Sequence, residues 1–395
     1  MNKGLLSLAF GAFCFGMSEF LMMSLLPDIA KSLNTTVGET GHLISSYALG
    51  VCVGGPLMVI CSCGHRMKSV LIALMLIMVS GSILMAVSPN YTTALFARFL
   101  NGLPHGAFFG GAAIVANRLA KTGKETSALA TVMMGMTAAN LLGVPVSNLI
   151  GHLFSWRIVF LFNALTGILT IIMLKLCLPE QEPLPHAKIK TLFSFLKRPV
   201  PWVLIIVTTL GNAGVFCWFS YINPFMIEYA GFSENTMPLL MLLVGASMCL
   251  GNYVGGRLSD HFTPGIVASY IQLAIMVALV ALFLAGKGNN HVLTIIGICV
   301  CTGGFFAYSA PMSQLLLKHS YGSPMMGGAL AQLAFNLGNA IGAFYGGWPI
   351  DNEIGIEYIT LIGCVITSFA AIVFNFYPRY RYRIAMVVTK VKEKL

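Results

Sequence analysis

A glutamate stands inside the first long apolar run of the chain. Glu19 lies in GMSEF at residues 16–20, several residues from either end of a run that we place at 5–27. A charged side chain near the centre of a membrane helix costs on the order of 3 kcal/mol, so such residues usually face a cavity and serve a function. Because a low dielectric disfavours the charged carboxylate, Glu19 could bind and release a proton. The alternative is a protonated carboxyl group that only hydrogen-bonds a neighbouring helix.

A second set of polar side chains follows in the fourth apolar run. Arg98, Asn101, Gly102 and His105 recur at i, i+3, i+4 and i+7, so they share one helix face. Gly102 begins a GxxxG spacing that allows a close helix neighbour. Arg98 could tune the proton affinity of Glu19, or it could be structural and bind backbone carbonyls. His105 is a third proton-coupling candidate, because imidazole titrates near neutral pH, with a neutral packed ring as the alternative.

Amide and aromatic side chains recur at helical spacing in later apolar runs. Amides and rings at mid-depth suit an uncharged polar or aromatic compound, which needs hydrogen bonds and stacking rather than counter-ions. The alternative for each is a hydrogen bond between helices. The candidate substrate-binding residues are Asn140, Asn212, Phe216, Phe219, Asn223, Gln314, Gln332, Asn336 and Asn339.

The composition indicates where these residues must be held. Of 395 residues, 57% are hydrophobic and 9% are charged, whereas soluble domains carry about 25% charged residues. A membrane helix needs about 20 apolar residues, and the long continuous runs exclude the alternating pattern of a membrane barrel. We predict an all-α membrane protein with spans at 5–27, 40–62, 69–88, 92–118, 126–152, 157–178, 201–229, 236–258, 264–286, 291–317, 324–349 and 355–377.

The spans divide into two six-helix halves. We place an N-terminal bundle at 1–178, a linker on the membrane surface at 179–200, a C-terminal bundle at 201–378 and a basic tail at 379–395. Residues 50–56 resemble 245–256, and residues 139–143 resemble 335–338, at a similar offset. A parallel repeat of this kind is typical of transporter halves with a substrate site between them.

The placement of basic residues predicts the topology. If the N-terminus is cytoplasmic, nineteen of the 23 Lys and Arg lie on the inner side, while Lys31, Arg157 and Lys287 lie outside. Basic residues stay cytoplasmic during insertion, so we expect both termini inside. The net charge of +10 therefore reflects topology and not a nucleic-acid surface.

Signatures of several other classes are missing from the sequence. It contains no GxxxxGKS or GxxxxGKT phosphate loop, no TVGYG filter, and no HExxH or GxSxG signature. We expect neither enzyme activity nor a cofactor or metal. The expected partners are a small-molecule substrate, protons and the lipid bilayer, and we expect a monomer.

Several motifs resemble those of a known family. The residues RFLNGLPHG at 98–106 resemble the fourth-helix motif of the major facilitator superfamily, and GRLSDH at 256–261 resembles its cytoplasmic loop in the second half. The first-half copy, GHRMK at 64–68, has His65 where the family has Asp. Residues 143–145 (GVP) are similar to the fifth-helix motif of antiporters. The residues that the resemblance implies in gating are Arg66, Gly143, Pro145, Gly256 and Asp260.

Further segments narrow the resemblance. Residues 19–20, 25–30, 46–50, 104–110 and 155–157 together look like the bacterial drug:proton antiporter family, in its arabinose-induced sugar-efflux-type branch. The resemblance implies a transporter of the bacterial inner membrane that exports a small neutral compound in exchange for protons. An importer or facilitator is the alternative, and a transport-dead sensor on the same scaffold is an alternative of another class.

Overall fold

The computed structural model describes residues 2–62, 64–121, 125–183, 194–288, 290–320 and 324–374, which are almost entirely helical. Residues 184–193 of the predicted linker and the whole predicted tail lie outside the described residues. The helices are α1 (Lys3–Leu33), α2 (Val37–Ser62), α3 (Met67–Ala86), α4 (Tyr91–Gly102), α5 (His105–Leu119), α6 (Glu125–Ala138), α7 (Val144–Leu153), α8 (Trp156–Cys177), α9 (Pro199–Phe219), α10 (Met237–His261), α11 (Pro264–Lys287), α12 (His291–His319), α13 (Pro324–Asp351) and α14 (Tyr358–Phe374).

The predicted all-α, twelve-span architecture is confirmed. Among the described residues, ten helical segments are long and apolar enough to cross a membrane, by length and composition alone. Helix α13 and the shorter apolar helix α14 occupy the two remaining predicted spans. The fourth span is made of α4 and α5 together, and the fifth contains α6 and α7. Isolated strand pairing within the described residues is limited to one bridge between Arg66 and Pro183.

Three predicted spans are not continuous helices, and proline explains each interruption. Pro104 separates α4 from α5, because a proline ring has no N–H to donate and clashes with the preceding turn. Pro145 follows a π-helical segment, Ala139–Gly143, that absorbs the same defect. The span predicted at 201–229 ends its regular helix at Phe219, and Pro224 directly precedes a second π segment at Phe225–Tyr229. Backbone irregularity inside the spans is therefore concentrated at prolines.

Glycines on equivalent helices of the two halves bring backbones into contact. A Cβ at Gly54 would lie 2.5 Å from Leu103 Cα, at the junction of α4 and α5. A Cβ at Gly255 would lie 2.5 Å from Ala307 Cα on α12. Helices α2 and α10 thus approach their neighbours through matching glycines 201 positions apart in the chain. This shared geometry is the physical basis of the repeat between residues 50–56 and 245–256.

The two halves meet along two pairs of crossing helices. Helix α2 packs along α13, where Ser45 Oγ donates to the carbonyl of Ala340 at 2.9 Å. On the other side, the segment from α6 to α7 packs against α10, where Gly245 touches the backbone of Asn140. Each half therefore contributes one member to each crossing pair.

One end of the molecule is closed by hydrogen bonds between the halves. We call it the Asp351 end, and the opposite end, which carries Arg66, the Arg66 end. Thr36 Oγ1 donates to Asp351, and Asn223 Nδ2 donates to the carbonyl of Ser24 at 2.6 Å. The Tyr221 hydroxyl lies 3.3 Å from the carbonyl oxygen of Gly38 in the first half, and it also bonds the Ala343 carbonyl of its own half at 2.6 Å. These bonds join the second half to α1, α2 and the loop between them.

The glycine contacts predict a selective loss of stability. Gly54→Ala should lower the free energy of unfolding by about 2 kcal/mol, because the new methyl group overlaps the Leu103 backbone. The adjacent Gly55→Ala is the matched control, since a Cβ there meets nothing within 4 Å. Thermal unfolding of the purified protein should separate the two variants. Equal melting temperatures would contradict the proposed packing.

Candidate functional site

Glu19 lies at the interface of the two halves. Its side chain is buried on α1, with the residue only 6% exposed. Oε1 accepts a hydrogen bond of 3.0 Å from Nδ2 of Asn339 on α13. Oε2 lies 3.9 Å from Nε2 of His105 and has no hydrogen-bond partner. One carboxylate oxygen is thus committed to the second half, and the other is available within the first.

His105 is held between Glu19 and a tyrosine. Its Nδ1 lies 2.7 Å from the hydroxyl oxygen of Tyr47 on α2. The ring packs against those of Phe15 and Phe109, with centroids 5.4 and 5.0 Å away. When the Tyr47 hydroxyl donates to Nδ1, the ring proton lies on Nε2 and faces Glu19. The break at Pro104 places His105 in the first turn of α5, where its side chain reaches both α1 and α2.

Arg98 is buried beneath Tyr47. Its Nη1 donates to the carbonyl of Ser18 at 2.8 Å, and its Nε donates to that of Leu43 at 3.3 Å. The guanidinium carbon lies 4.3 Å from the centre of the Tyr47 ring, a distance at which a cation attracts the ring face. Arg98 makes no ion pair with Glu19. It is linked to that residue by side-chain contacts through Tyr47 and His105 and by its bond to the carbonyl of Ser18.

Asn101 forms further hydrogen bonds that connect α4 with α1 and α3. Its Oδ1 accepts from the hydroxyl of Ser18, and its Nδ2 donates to the Met78 carbonyl at 2.7 Å and to Ser82 Oγ at 2.9 Å. Arg98, Asn101 and His105 therefore all reach Ser18 or Glu19, as expected for residues on one helix face. Together they anchor the polar turn of α1 within the first half.

The candidate amides differ in how many of their polar atoms are paired. Asn212 donates to the carbonyl of Phe335 at 2.6 Å and to Oδ1 of Asn339. Asn336 donates to the carbonyl of Gln332 in its own helix at 3.0 Å. Asn140, in the first π segment, is buried with neither amide atom paired. Unpaired oxygens also remain on Asn212, Asn223 and Asn336, so these amides keep hydrogen-bonding capacity at buried positions.

Two of the candidate amides stand apart from the buried set. Gln332 is half-buried on α13, and Gln314 is exposed on α12, near the end that carries Lys318. Of the buried amides, Asn212 lies on α9, and Asn336 and Asn339 lie on α13. Asn140 lies in the first π segment, and Asn223 lies in a short helical turn directly before Pro224.

Aromatic side chains form a cluster at the interface of the halves. Phe216 and Phe219 are buried on α9, with ring centroids 5.7 Å apart. Phe20, the neighbour of Glu19, lies 6.2 Å from Phe219 and 5.9 Å from Phe306 of α12. Phe305, on the same helix as Phe306, lies 5.3 Å from Phe216. The cluster therefore joins α1, α9 and α12, starting one residue after Glu19.

A cavity of about 330 Å³ lies between the N-terminal part of α1 and α6. Its lining is apolar apart from one hydroxyl group, that of Thr131, and includes Phe10, Phe13 and Met134. Phe13 and Met17 lie on successive turns of α1, beside Gly143. The cavity therefore approaches the π segment that holds Asn140 from the end opposite to Asp351.

The candidate gating residues lie at several levels of the protein. Gly143 contacts Met17, and Pro145 is buried in the first turn of α7. Arg66 and Glu180 are exposed and form an ion pair at 3.8 Å, which joins the loop after α2 to the start of the linker. Gly256 is half-buried on α10. Asp260 belongs to the same helix, and its side chain lies outside the described residues.

The sequence alone did not identify three of the residues that touch this site. Tyr47, Ser18 and Phe20 were not among the candidates, although each directly contacts or adjoins Glu19, Arg98 or His105. A tyrosine in an apolar run is the only signal that could have drawn attention to Tyr47. Serine and phenylalanine are ordinary residues of membrane helices, so their contacts required the packing to be known.

The chain is similar to known proteins over most of its length. The sequence profile of the Major Facilitator Superfamily matches residues 8–343. The chain is 38% identical over 381 residues to the putative transporter AraJ of Escherichia coli (strain K12), covering 96% of each protein. It is 34% identical over 370 residues to the inner membrane transport protein YdhP of Escherichia coli (strain K12), covering 94% of each.

A solved structure shares the fold. A bacterial homologue of the human lysosomal transporter Spinster, in an inward-facing and unoccupied conformation, superposes with a TM-score of 0.75. The match covers 95% of this chain and 96% of that one at 15% sequence identity. The twelve-helix arrangement is thus common to both proteins.

The contacts of Arg98 predict that lysine cannot replace it. Arg98→Lys should lower the free energy of unfolding by about 2 kcal/mol, because an ammonium group cannot serve both carbonyls and the Tyr47 ring in one geometry. Arg257→Lys is the matched control, since Arg257 is exposed. Thermal unfolding of the purified variants measures the difference. An Arg98→Lys protein as stable as the Arg257→Lys protein would show that the two carbonyl bonds contribute little.

Proposed function

Because the chain belongs to the major facilitator superfamily of transporters, which work by alternating access, we propose that it is a proton:substrate antiporter. In this proposal it exports a small neutral polar or aromatic compound, such as a sugar, a nucleobase or a drug-like molecule. The two bundles rock about a central site that opens to one side of the membrane at a time. Glu19 carries the proton, and Arg98 and His105 set how readily it does so.

One observation carries the proposal: a buried carboxyl group lies between the halves with one oxygen unpaired. An ionised carboxylate without full hydrogen bonding is costly in a low dielectric, so the group gains from binding a proton or from solvation. A purely structural glutamate would be expected to satisfy both oxygens. The free Oε2 and the nearby His105 therefore favour proton exchange over a structural role.

The closed end and the open cavity support exchange from the Arg66 end in this conformation. Hydrogen bonds between the halves join them at the Asp351 end, while the cavity between α1 and α6 is lined by residues of α1 from Leu6 to Phe13, on the side of Glu19 away from that end. A proton released by Glu19 in this state would leave toward the Arg66 end. Substrate entering by the same route would meet the unpaired amides and the phenylalanine cluster.

The substrate class follows from the buried amides and rings. Asn140 offers an unpaired donor and an unpaired acceptor, and Asn212, Asn223 and Asn336 each offer an unpaired oxygen. Phe216 and Phe219 supply aromatic surface. Hydrogen bonds and stacking without a second charge suit a neutral solute. Gln314 and Gln332 would contribute at the entrance rather than at the centre.

The charge distribution supports a cytoplasmic Arg66 end. Arg66, Lys68, Arg118 and Arg257 lie at this end, and the positive-inside rule assigns such residues to the cytoplasmic side. Both termini would then be cytoplasmic, with the protein in a bacterial inner membrane like its relative, the inner membrane transport protein YdhP. The closed Asp351 end would face outward, and Arg66, Gly143, Pro145, Gly256 and Asp260 would act in gating.

The test is transport driven by a pH gradient in proteoliposomes, with the gradient imposed in both directions. Pentoses, nucleobases and chloramphenicol are the compounds to compare. Wild type should accumulate its substrate against the direction of proton flow. Glu19→Gln should abolish this uphill transport, because the amide cannot carry a proton, while downhill exchange persists in part. Glu353→Gln, at an exposed position, is the matched control.

Each alternative has its own outcome in the same assay. Accumulation in the direction of proton flow would make the protein an importer. Transport that ignores the gradient would make it a facilitator and leave Glu19 a structural residue. Uphill transport retained by Glu19→Gln would reject Glu19 as the proton carrier. No transport of any tested class by a folded wild type would favour the sensor.

A further inference from the structure

A chain of hydrogen bonds through two amides connects the second half to Glu19. Nδ2 of Asn212, on α9, donates to Oδ1 of Asn339 on α13. Nδ2 of Asn339 then donates to Oε1 of Glu19 on α1, at 3.0 Å. All three side chains are buried. These hydrogen bonds therefore link the two bundles directly, from side chain to side chain.

The surrounding groups fix the direction of this chain. The Asn212 amide atom that meets Asn339 also lies 2.6 Å from the carbonyl oxygen of Phe335. It must therefore be the nitrogen, because two oxygens would repel each other. The Asn339 atom that faces Asn212 must then be oxygen, and the atom that faces Glu19 must be nitrogen. Asn339 can only donate to Glu19, and Glu19 can only accept.

An acceptor of this kind binds with a strength that depends on its charge. A hydrogen bond to an ionised carboxylate is roughly twice as strong as one to a neutral group. Protonation of Glu19 would therefore weaken its bond with Asn339. The ionisable and charged groups that face this part of the molecule are His105 on α5, Tyr47 on α2 and Arg98 on α4. All three belong to the first half, so Asn339 is the contact that carries the change to the second.

Helix α13 connects this bond to the closed end. It runs from Asn339 to Asp351, a rise of roughly 18 Å over twelve residues. Along it, the carbonyls of Ala340 and Ala343 accept from Ser45 and Tyr221, and Asp351 accepts from Thr36. A change in how α1 holds α13 at Asn339 thus acts on the helix whose far end closes the molecule.

We propose that Asn339 is the positioning residue that transmits the protonation state of Glu19 to the second half. With Glu19 ionised, Asn339 holds α13 against α1 and keeps the Asp351 end closed. With Glu19 protonated, the bond weakens and the Asp351 end opens more readily. This inference rests on the proton-carrier role proposed for Glu19, and it makes Asn339 a coupling residue rather than a substrate ligand.

Hydrogen–deuterium exchange of the full-length protein in lipid nanodiscs reports opening of the Asp351 end. The informative peptides cover residues 34–41 and 346–357, compared at mildly acidic and mildly alkaline pH after correction for intrinsic exchange rates. In wild type, acid should speed their exchange by about fivefold or more, the range of a typical coupling free energy. His42, the His152–Glu234 pair and Asp351 also lie at this end, so variants must separate their titration from that of Glu19.

Three substitutions at the amide chain make the test specific. Asn339→Leu removes the donor, so exchange should be fast and its pH response small. Asn339→Asp places two carboxyl groups together, which must share a proton, so the pH response should move to higher pH. In Glu19→Gln with Asn339→Asp, the new glutamine can donate to the new aspartate, which still accepts from Asn212. This double variant should regain a pH-dependent closure that Glu19→Gln alone lacks.

Gln272→Leu is the matched control, because Gln272 is a buried amide of the second half whose donor bonds to Tyr308 of the same half. It should keep the pH response of wild type. A response that survives Asn339→Leu, or one that Gln272→Leu removes equally, would overturn the inference. The inference would also fail if hydrogen–deuterium exchange of wild type did not change with pH while its transport did depend on the pH gradient. The antiport proposal would still stand in that case. If Glu19→Gln keeps both uphill transport and the pH response, both proposals fail.

Discussion

The burial of a carboxylate and a guanidinium in one hydrocarbon-embedded layer is the constraint on which the rest of the structure depends. Neither group can be left without partners at low dielectric, because each unpaired charge would cost several kcal/mol. Arg98 has two backbone carbonyls and the face of Tyr47 as partners, with only its Nη2 unpaired. Glu19 is paired less completely, with a neutral amide on one oxygen and an imidazole near the other. The cation is thus fixed in place, and the acid keeps an oxygen free to react.

This arrangement requires helices that approach one another closely and are interrupted at specific positions. Glycines at positions such as 54 and 255 let α2 and α10 touch the backbones of their neighbours. Prolines 104 and 145 interrupt two spans, so His105 begins a new helix and Asn140 lies in a π segment. In a membrane, such breaks are tolerated where other groups of the protein satisfy the backbone. The polar side chains of the site are positioned by these breaks.

The same layer joins local chemistry to the movement of the halves. Asn339 links Glu19 to α13, and α13 also carries Asp351, which accepts from Thr36 of the first half at the Asp351 end. In the proposed mechanism, a proton on Glu19 weakens an interaction between the bundles, whereas Arg98 and Asn101 act within one bundle. Coupling of proton binding to opening needs one contact that differs between the two charge states, and we propose that the hydrogen bond between Asn339 and Glu19 is that contact.

The sequence by itself determined the twelve spans, the repeat and the face shared by Arg98, Asn101 and His105, because hydropathy and helical periodicity are local properties of the chain. It also marked Glu19, since an acid in an apolar run is conspicuous. Only the tertiary structure decided that Arg98 reaches Glu19 through Tyr47 and His105, that Asn339 bonds Glu19 across the halves, and that Gln314 lies outside the buried set. Those contacts join residues up to 320 positions apart, and their partners depend on helix rotation and proline breaks that no local pattern specifies.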